Sequence, residues 1–125
     1  MLDANVLIAL LDADDAHHDA ARSMLEAETD DLAISALTLA EVAVGPARAD
    51  RLLAVQDAVE ALGLRVLPVE AETWDALAQL RASTALRMPD CCVLHTGLAR
   101  HASVATCDRQ LATAARAAGL TAIGS

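Results

Sequence analysis

Short apolar runs alternate along the entire chain with longer stretches whose apolar residues recur at helical spacing, and few folds accommodate that rhythm. Met1 to Leu2 forms a brief strand that gives way to a helix running through Leu11. Asp12, Asp14 and Asp15 offer N-caps for a second helix over roughly Ala16 to Glu28. Leu32-Ala33-Ile34 is strand-like, and Ala36 to Gly45 is helical. From Ala49 to Leu62, the residues Leu52, Val55, Val59 and Leu62 fall close to helical period, and Gly63 supplies the stop. Arg65 to Val69 is the next strand, and Glu70 to Leu86 is a helix with Trp74, Leu77 and Leu80 on one face. Pro89-Asp90 opens a helix running to about His101, Ser103 to Thr106 is a strand, Arg109 to Ala118 is a helix, and Leu120 to Ile123 is the last strand. Strands separated by helices pair in parallel, so the pattern predicts an α/β fold with four or five short strands. The 125 residues suit one domain spanning 1-125.

Composition narrows the function. The formal net charge is -9, lysine is absent, and nine arginines carry the positive charge. Such a chain lacks the broad basic surface that coats nucleic acid non-specifically. With Trp74 as the lone aromatic residue, base stacking is not its principal means of holding RNA or DNA. No apolar run approaches the roughly 18 residues of a membrane span. The start carries no basic leader. Three cysteines, two of them the neighbours Cys91 and Cys92, argue against a disulfide framework and for a reducing cytoplasm.

In an open parallel sheet, sites form beyond the carboxyl ends of the strands. Asp3 follows the first strand, Glu41 lies in the helix after the second, Asp90 opens the helix after Met88-Pro89, and Asp108 follows Val104-Ala105-Thr106. Gathered carboxylates need a cation between them, and an all-oxygen shell suits Mg2+ or Mn2+ better than Zn2+. Each acid also has a structural explanation. Asp90 and Asp108 are good N-caps, and Thr38-Leu39-Ala40-Glu41 fits a capping box. Spacing alone leaves both readings open.

Four segments, Leu2-Asp3-Ala4-Asn5-Val6-Leu7-Ile8, Ser35-Ala36-Leu37-Thr38-Leu39-Ala40-Glu41-Val42, Met88-Pro89-Asp90 and Thr106-Cys107-Asp108-Arg109-Gln110-Leu111, together resemble the PIN domain. More closely, the chain is similar to the VapC toxins of bacterial toxin–antitoxin pairs. The resemblance covers essentially the whole length and implies a three-layer fold with a central parallel sheet. It implies a Mg2+- or Mn2+-dependent endoribonuclease with Asp3, Glu41, Asp90 and Asp108 as its acidic quartet. Asp3, Asp90 and Asp108 are then the expected metal ligands, direct or through water, with Glu41 placed at the metal's water shell or orienting the nucleophilic water. Asn5 and Thr106 are expected to hold carboxylates by hydrogen bonds. A VapB-type antitoxin, an RNA substrate and a homodimer follow from the same resemblance. The chain departs from the pattern in two places. Only Met1 and Leu2 precede the first Asp, and Gln110, Leu111 and Ala112 stand where relatives carry a further acid, which favours a single ion.

Competing constellations are weaker. Cys91 and His95 share a helix face, but no Cys-x-x-Cys or His-x-x-x-His pair exists to build a zinc site. Receiver domains and aspartate-nucleophile phosphatases are similar acidic α/β families that rely on a lysine this chain lacks. Arg87 and Arg109 flank the quartet and are candidate contacts to RNA phosphate. A second reading keeps the fold without catalysis, as a PIN-like binding or regulatory protein that pairs with an antitoxin.

Overall fold

A computed structural model of the chain describes residues 1–28 and 30–124. Its centre is the extended segment Met1–Asp3, which hydrogen-bonds to neighbours on both sides. Leu2 N–H donates to Ala33 O at 2.9 Å, Asp3 N–H donates to Ala105 O at 2.9 Å, and Ala105 N–H donates to Met1 O at 2.8 Å. On one side, β1 (Ala33–Ser35) pairs in parallel with β2 (Arg65–Leu67), with Ala33 opposite Arg65 and Ser35 opposite Leu67. On the other, β3 (Val104–Ala105) pairs in parallel with β4 (Ala122–Ile123). The first three residues thus join two two-stranded pieces into the order β2, β1, Met1–Asp3, β3, β4.

Among the described residues, seven α-helices cover this sheet: α1 (Ala4–Leu11), α2 (His18–Ala27), α3 (Ala36–Arg48), α4 (Leu52–Ala61), α5 (Trp74–Ser83), α6 (Met88–Arg100) and α7 (Arg109–Ala117). Successive strand residues point to opposite faces, which divides the buried side chains into two cores. Met1, Leu67 and Val104 join Cys91–Leu94 of α6 and Leu111 of α7 on one face. Leu2, Ile34 and Ala105 join Val6, Leu7 and Val42 on the other. The expected α/β class and parallel pairing are present, as three layers. Gly97 allows α6 to sit close on the sheet, since a Cβ there would lie 3.2 Å from the Val104 and Leu120 side chains. Among the described residues, no helix is long and apolar enough to cross a membrane.

Several local features differ from what the sequence pattern predicts. Asp12, Asp14 and Asp15 do not cap α2, which starts at His18 behind His17 and has no side-chain cap bond. Asp12 Oδ1 instead accepts from Asp14 N–H and Asp15 Oδ1 from His17 N–H, so these acids build the turn before the helix. Helix α3 runs past Gly45 and through Pro46 to Arg48. The proline removes one backbone donor close to the helix end, where Ala49 N–H still reaches Gly45 O at 3.2 Å. Trp74 is 73% exposed and outside the core, because a 3-10 turn over Ala71–Thr73 makes it the first residue of α5. The buried face of that helix begins at Leu77.

Leu2 is 1% exposed at the centre of the sheet, whereas Leu53 on α4 is 69% exposed. Leu2→Ala is therefore expected to cost about 2–5 kcal/mol in urea denaturation. Leu53→Ala should stay within about 0.5 kcal/mol of the parent chain.

Candidate active site

Each crossover in a parallel sheet starts its helix at the carboxyl edge, and this topology gathers the acids. Asp3 leaves the central segment as the N-cap of α1 and is 7% exposed. Its Oδ1 accepts from Ala4 N–H at 2.8 Å. Its Oδ2 accepts from the Thr106 hydroxyl at 2.7 Å and from Asn5 Nδ2 at 3.0 Å. Thr106, fully buried just after β3, also accepts from Asp108 N–H at 2.9 Å. Asn5 Oδ1 accepts from Cys107 N–H at 3.1 Å. Asn5, Thr106 and two backbone amides thereby tie the start of α1 to the loop before α7. Asp108 N-caps α7, its Oδ1 accepting from Gln110 N–H at 2.8 Å and Leu111 N–H at 3.2 Å.

Asp90 lies in the first turn of α6 rather than at its cap, which is Arg87. Its Oδ2 accepts from Arg87 N–H at 3.3 Å and faces Arg87 Nε at 4.0 Å. The three-residue spacing of Arg87 and Asp90 on one helix turn is the sequence signal of this pairing. Glu41 does not close a capping box. Helix α3 begins at Ala36 behind Ser35, which puts Glu41 in its second turn, exposed to solvent. The Thr38 hydroxyl is buried with no hydrogen-bond partner, as is that of Ser35. Arg109 is exposed at the first position of α7.

Burial raises the Asp3 carboxyl above its usual range; the Thr106 hydroxyl and Ala4 N–H oppose this, while the charges of Asp90 and Asp108 add to it. Desolvation likewise raises Glu41, Arg87 offsets part of that rise, and Asp3 and Asp90 reinforce it. Asp3 thus feels the charges of Asp90 and Asp108, and Glu41 those of Asp3 and Asp90. Hydrogen bonds occupy Oδ2 of Asp90 and Oδ1 of Asp108, which leaves each a second carboxylate oxygen directed elsewhere. This all-oxygen donor set fits a hard divalent cation that retains water. Among the described residues, no group of three or more His, Cys, Asp or Glu side chains is drawn together as a direct metal cage, so water would have to complete the shell. The three cysteines are free, and burial raises each thiol above its usual range.

A layered parallel α/β domain with carboxylates at the carboxyl edge of its sheet defines the class. The chain belongs to the PIN domain family, whose sequence profile matches residues 1–117 and whose members are in general nucleases. Among solved structures it is similar to a toxin-antitoxin complex from Klebsiella pneumoniae, at 26% identity and a TM-score of 0.71, over 89% of this chain and 88% of that one. No curated protein matches the sequence at a significant level.

Thr106→Val deletes a fully buried hydroxyl that serves Asp3 and Asp108 together. Urea denaturation is expected to show a loss of about 1–3 kcal/mol. A raised carboxyl pKa means that the native state binds that proton more tightly than the unfolded chain. The native state is then favoured at low pH and loses that advantage as pH rises through the folded pKa. With Glu41 raised from 4.5, Glu41→Gln in EDTA should be at least as stable as wild type at pH 7. Denaturation midpoints should converge as pH falls toward 4.5.

Proposed function

We propose that this chain is a Mg2+- or Mn2+-dependent endoribonuclease, the toxin of a toxin–antitoxin pair, neutralised by a VapB-type antitoxin. The observation that carries this reading is the buried Asp3 carboxylate at the sheet's carboxyl edge, within the field of Asp90 and Asp108. Membership of a nuclease family and likeness to a toxin-antitoxin complex support it. Exposed apolar side chains on α3, α4 and β2, among them Val44, Leu52, Leu53 and Val66, support protein partners, which we take to be the antitoxin and a second copy of the chain.

In this reading, Asp3, Asp90 and Asp108 hold the ion directly or through water. A bound divalent cation would neutralise the cluster, acidify a coordinated water and offset charge on the scissile phosphate. Asn5 and Thr106 fix the Asp3 carboxylate so that it keeps one orientation. Glu41, exposed to solvent, would sit at the metal's water shell or orient the attacking water. Arg87 and Arg109 meet backbone phosphates as paired N–H donors, a local substitute for the basic surface that the composition withholds. Attack by water in line with the 3′ oxygen breaks the P–O3′ bond, and the departing 3′ oxygen takes a proton from solvent, leaving 5′-phosphate and 3′-hydroxyl ends.

The second reading, a non-catalytic PIN-fold protein that pairs with an antitoxin, is favoured by the lack of a direct three-ligand cage among the described residues. A thermal-shift titration with Mn2+ separates the two. Under the nuclease reading, wild type gains stability by mass action and Asp90→Asn does not. RNA cleavage should then fall by about 100-fold or more in the variant. Wild type indifferent to Mn2+ across the millimolar range would leave the binding protein as the better reading.

A further inference from the structure

Arg87 caps α6 with 80% of its side chain exposed, while the Asp90 side chain it faces is 9% exposed. Two groups of the same residue address one oxygen, the backbone N–H at 3.3 Å and Nε at 4.0 Å from Asp90 Oδ2. Its charge also acts on Glu41 across the cluster. In a chain of net charge -9 that has no lysine, this places a scarce cation against carboxylates that otherwise repel one another.

We propose that the Arg87 guanidinium is an internal counterion of the acid cluster, pairing with Asp90 in the metal-free protein and yielding that carboxylate to a divalent cation. The inference rests on the nuclease reading above and adds a residue that sets how much cation the site requires. The arrangement suits displacement. A long pairing made by an exposed side chain is weak and screened by salt, whereas the backbone half of the contact does not depend on the side chain. The guanidinium therefore leaves without uncapping α6. A divalent ion among the carboxylates would feel its positive charge at short range, so Arg87 opposes cation binding for as long as it stays over the site. Once displaced, its five N–H donors are available to a phosphate at the same edge. Arg87 is thus a positioning residue whose partner changes with metal occupancy.

Isothermal titration with MnCl2 at fixed ionic strength tests this on wild type, Arg87→Gln, Arg87→Lys and Arg22→Gln. Removing the charge in Arg87→Gln should tighten Mn2+ binding by about three- to tenfold, as expected for one unit charge near a solvated divalent site. Arg87→Lys keeps the charge and should restore affinity to within about twofold of wild type. Arg22, paired with Glu26 on α2, controls for net charge, and Arg22→Gln should bind Mn2+ as wild type does. A wild type that binds Mn2+ while Arg87→Gln binds equally or more weakly overturns the counterion alone. A wild type that binds no Mn2+ overturns the nuclease reading and the counterion with it.

Discussion

Two backbone hydrogen bonds, from Leu2 to Ala33 and from Asp3 to Ala105, stitch separate pairs of strands into one sheet. Their donors are adjacent, so the pleat sends Met1 and Leu2 into opposite cores and delivers Asp3 to the carboxyl edge. Fold and site therefore share a segment of three residues. The segment is extended and bonds to both neighbours. The alternate faces of this one short strand supply side chains to both layers of packing.

The cluster at that edge works against the fold. Burial of Asp3, reinforced by the charges of Asp90 and Asp108, raises its carboxyl above the usual range and so disfavours the charged form. Thr106, Asn5 and Ala4 N–H share the load by donating to it, and Thr106 and Asn5 also accept from the loop before α7. The polar network is well satisfied around Asp3 but not beneath α3, where the Ser35 and Thr38 hydroxyls are buried without partners. Native proteins tolerate such costs mainly where function requires them.

The alternation of strand and helix was legible because it depends on long stretches and on the period of apolar residues. Cap chemistry was less so. Asp12, Asp14 and Asp15 are equally good in turns and at N-caps, and the tight loop between α1 and α2 settled them as turn residues. Trp74 looked like core because period places it with Leu77, but position at a helix start cannot be read from period. The four acids could be picked out singly, and each had a structural explanation. Three-dimensional placement removed that explanation from Glu41, which sits too far into α3 to cap it. It left Asp3 and Asp108 as the caps of α1 and α7, and Asp90 in the first turn of α6 behind its cap Arg87. The Arg87–Asp90 contact went unread because pairs at this spacing are common on helices and seldom matter.

Placement at helix starts offsets the repulsion among these acids. Asp3 and Asp108 cap α1 and α7, and Asp90 occupies the first turn of α6, so three helix N-termini meet the carboxylates. Unsatisfied N–H groups and the partial positive charge at each terminus favour an anion there. Glu41, in the second turn of α3, stands beyond the reach of such an end, and the charge that offsets its desolvation comes from Arg87 instead. The same termini favour phosphate oxygens as well as carboxylates. Parallel topology thus does more than collect acids at one edge. It supplies the fixed positive ends that let acids be buried there, and so sets an electropositive backbone around a negatively charged centre.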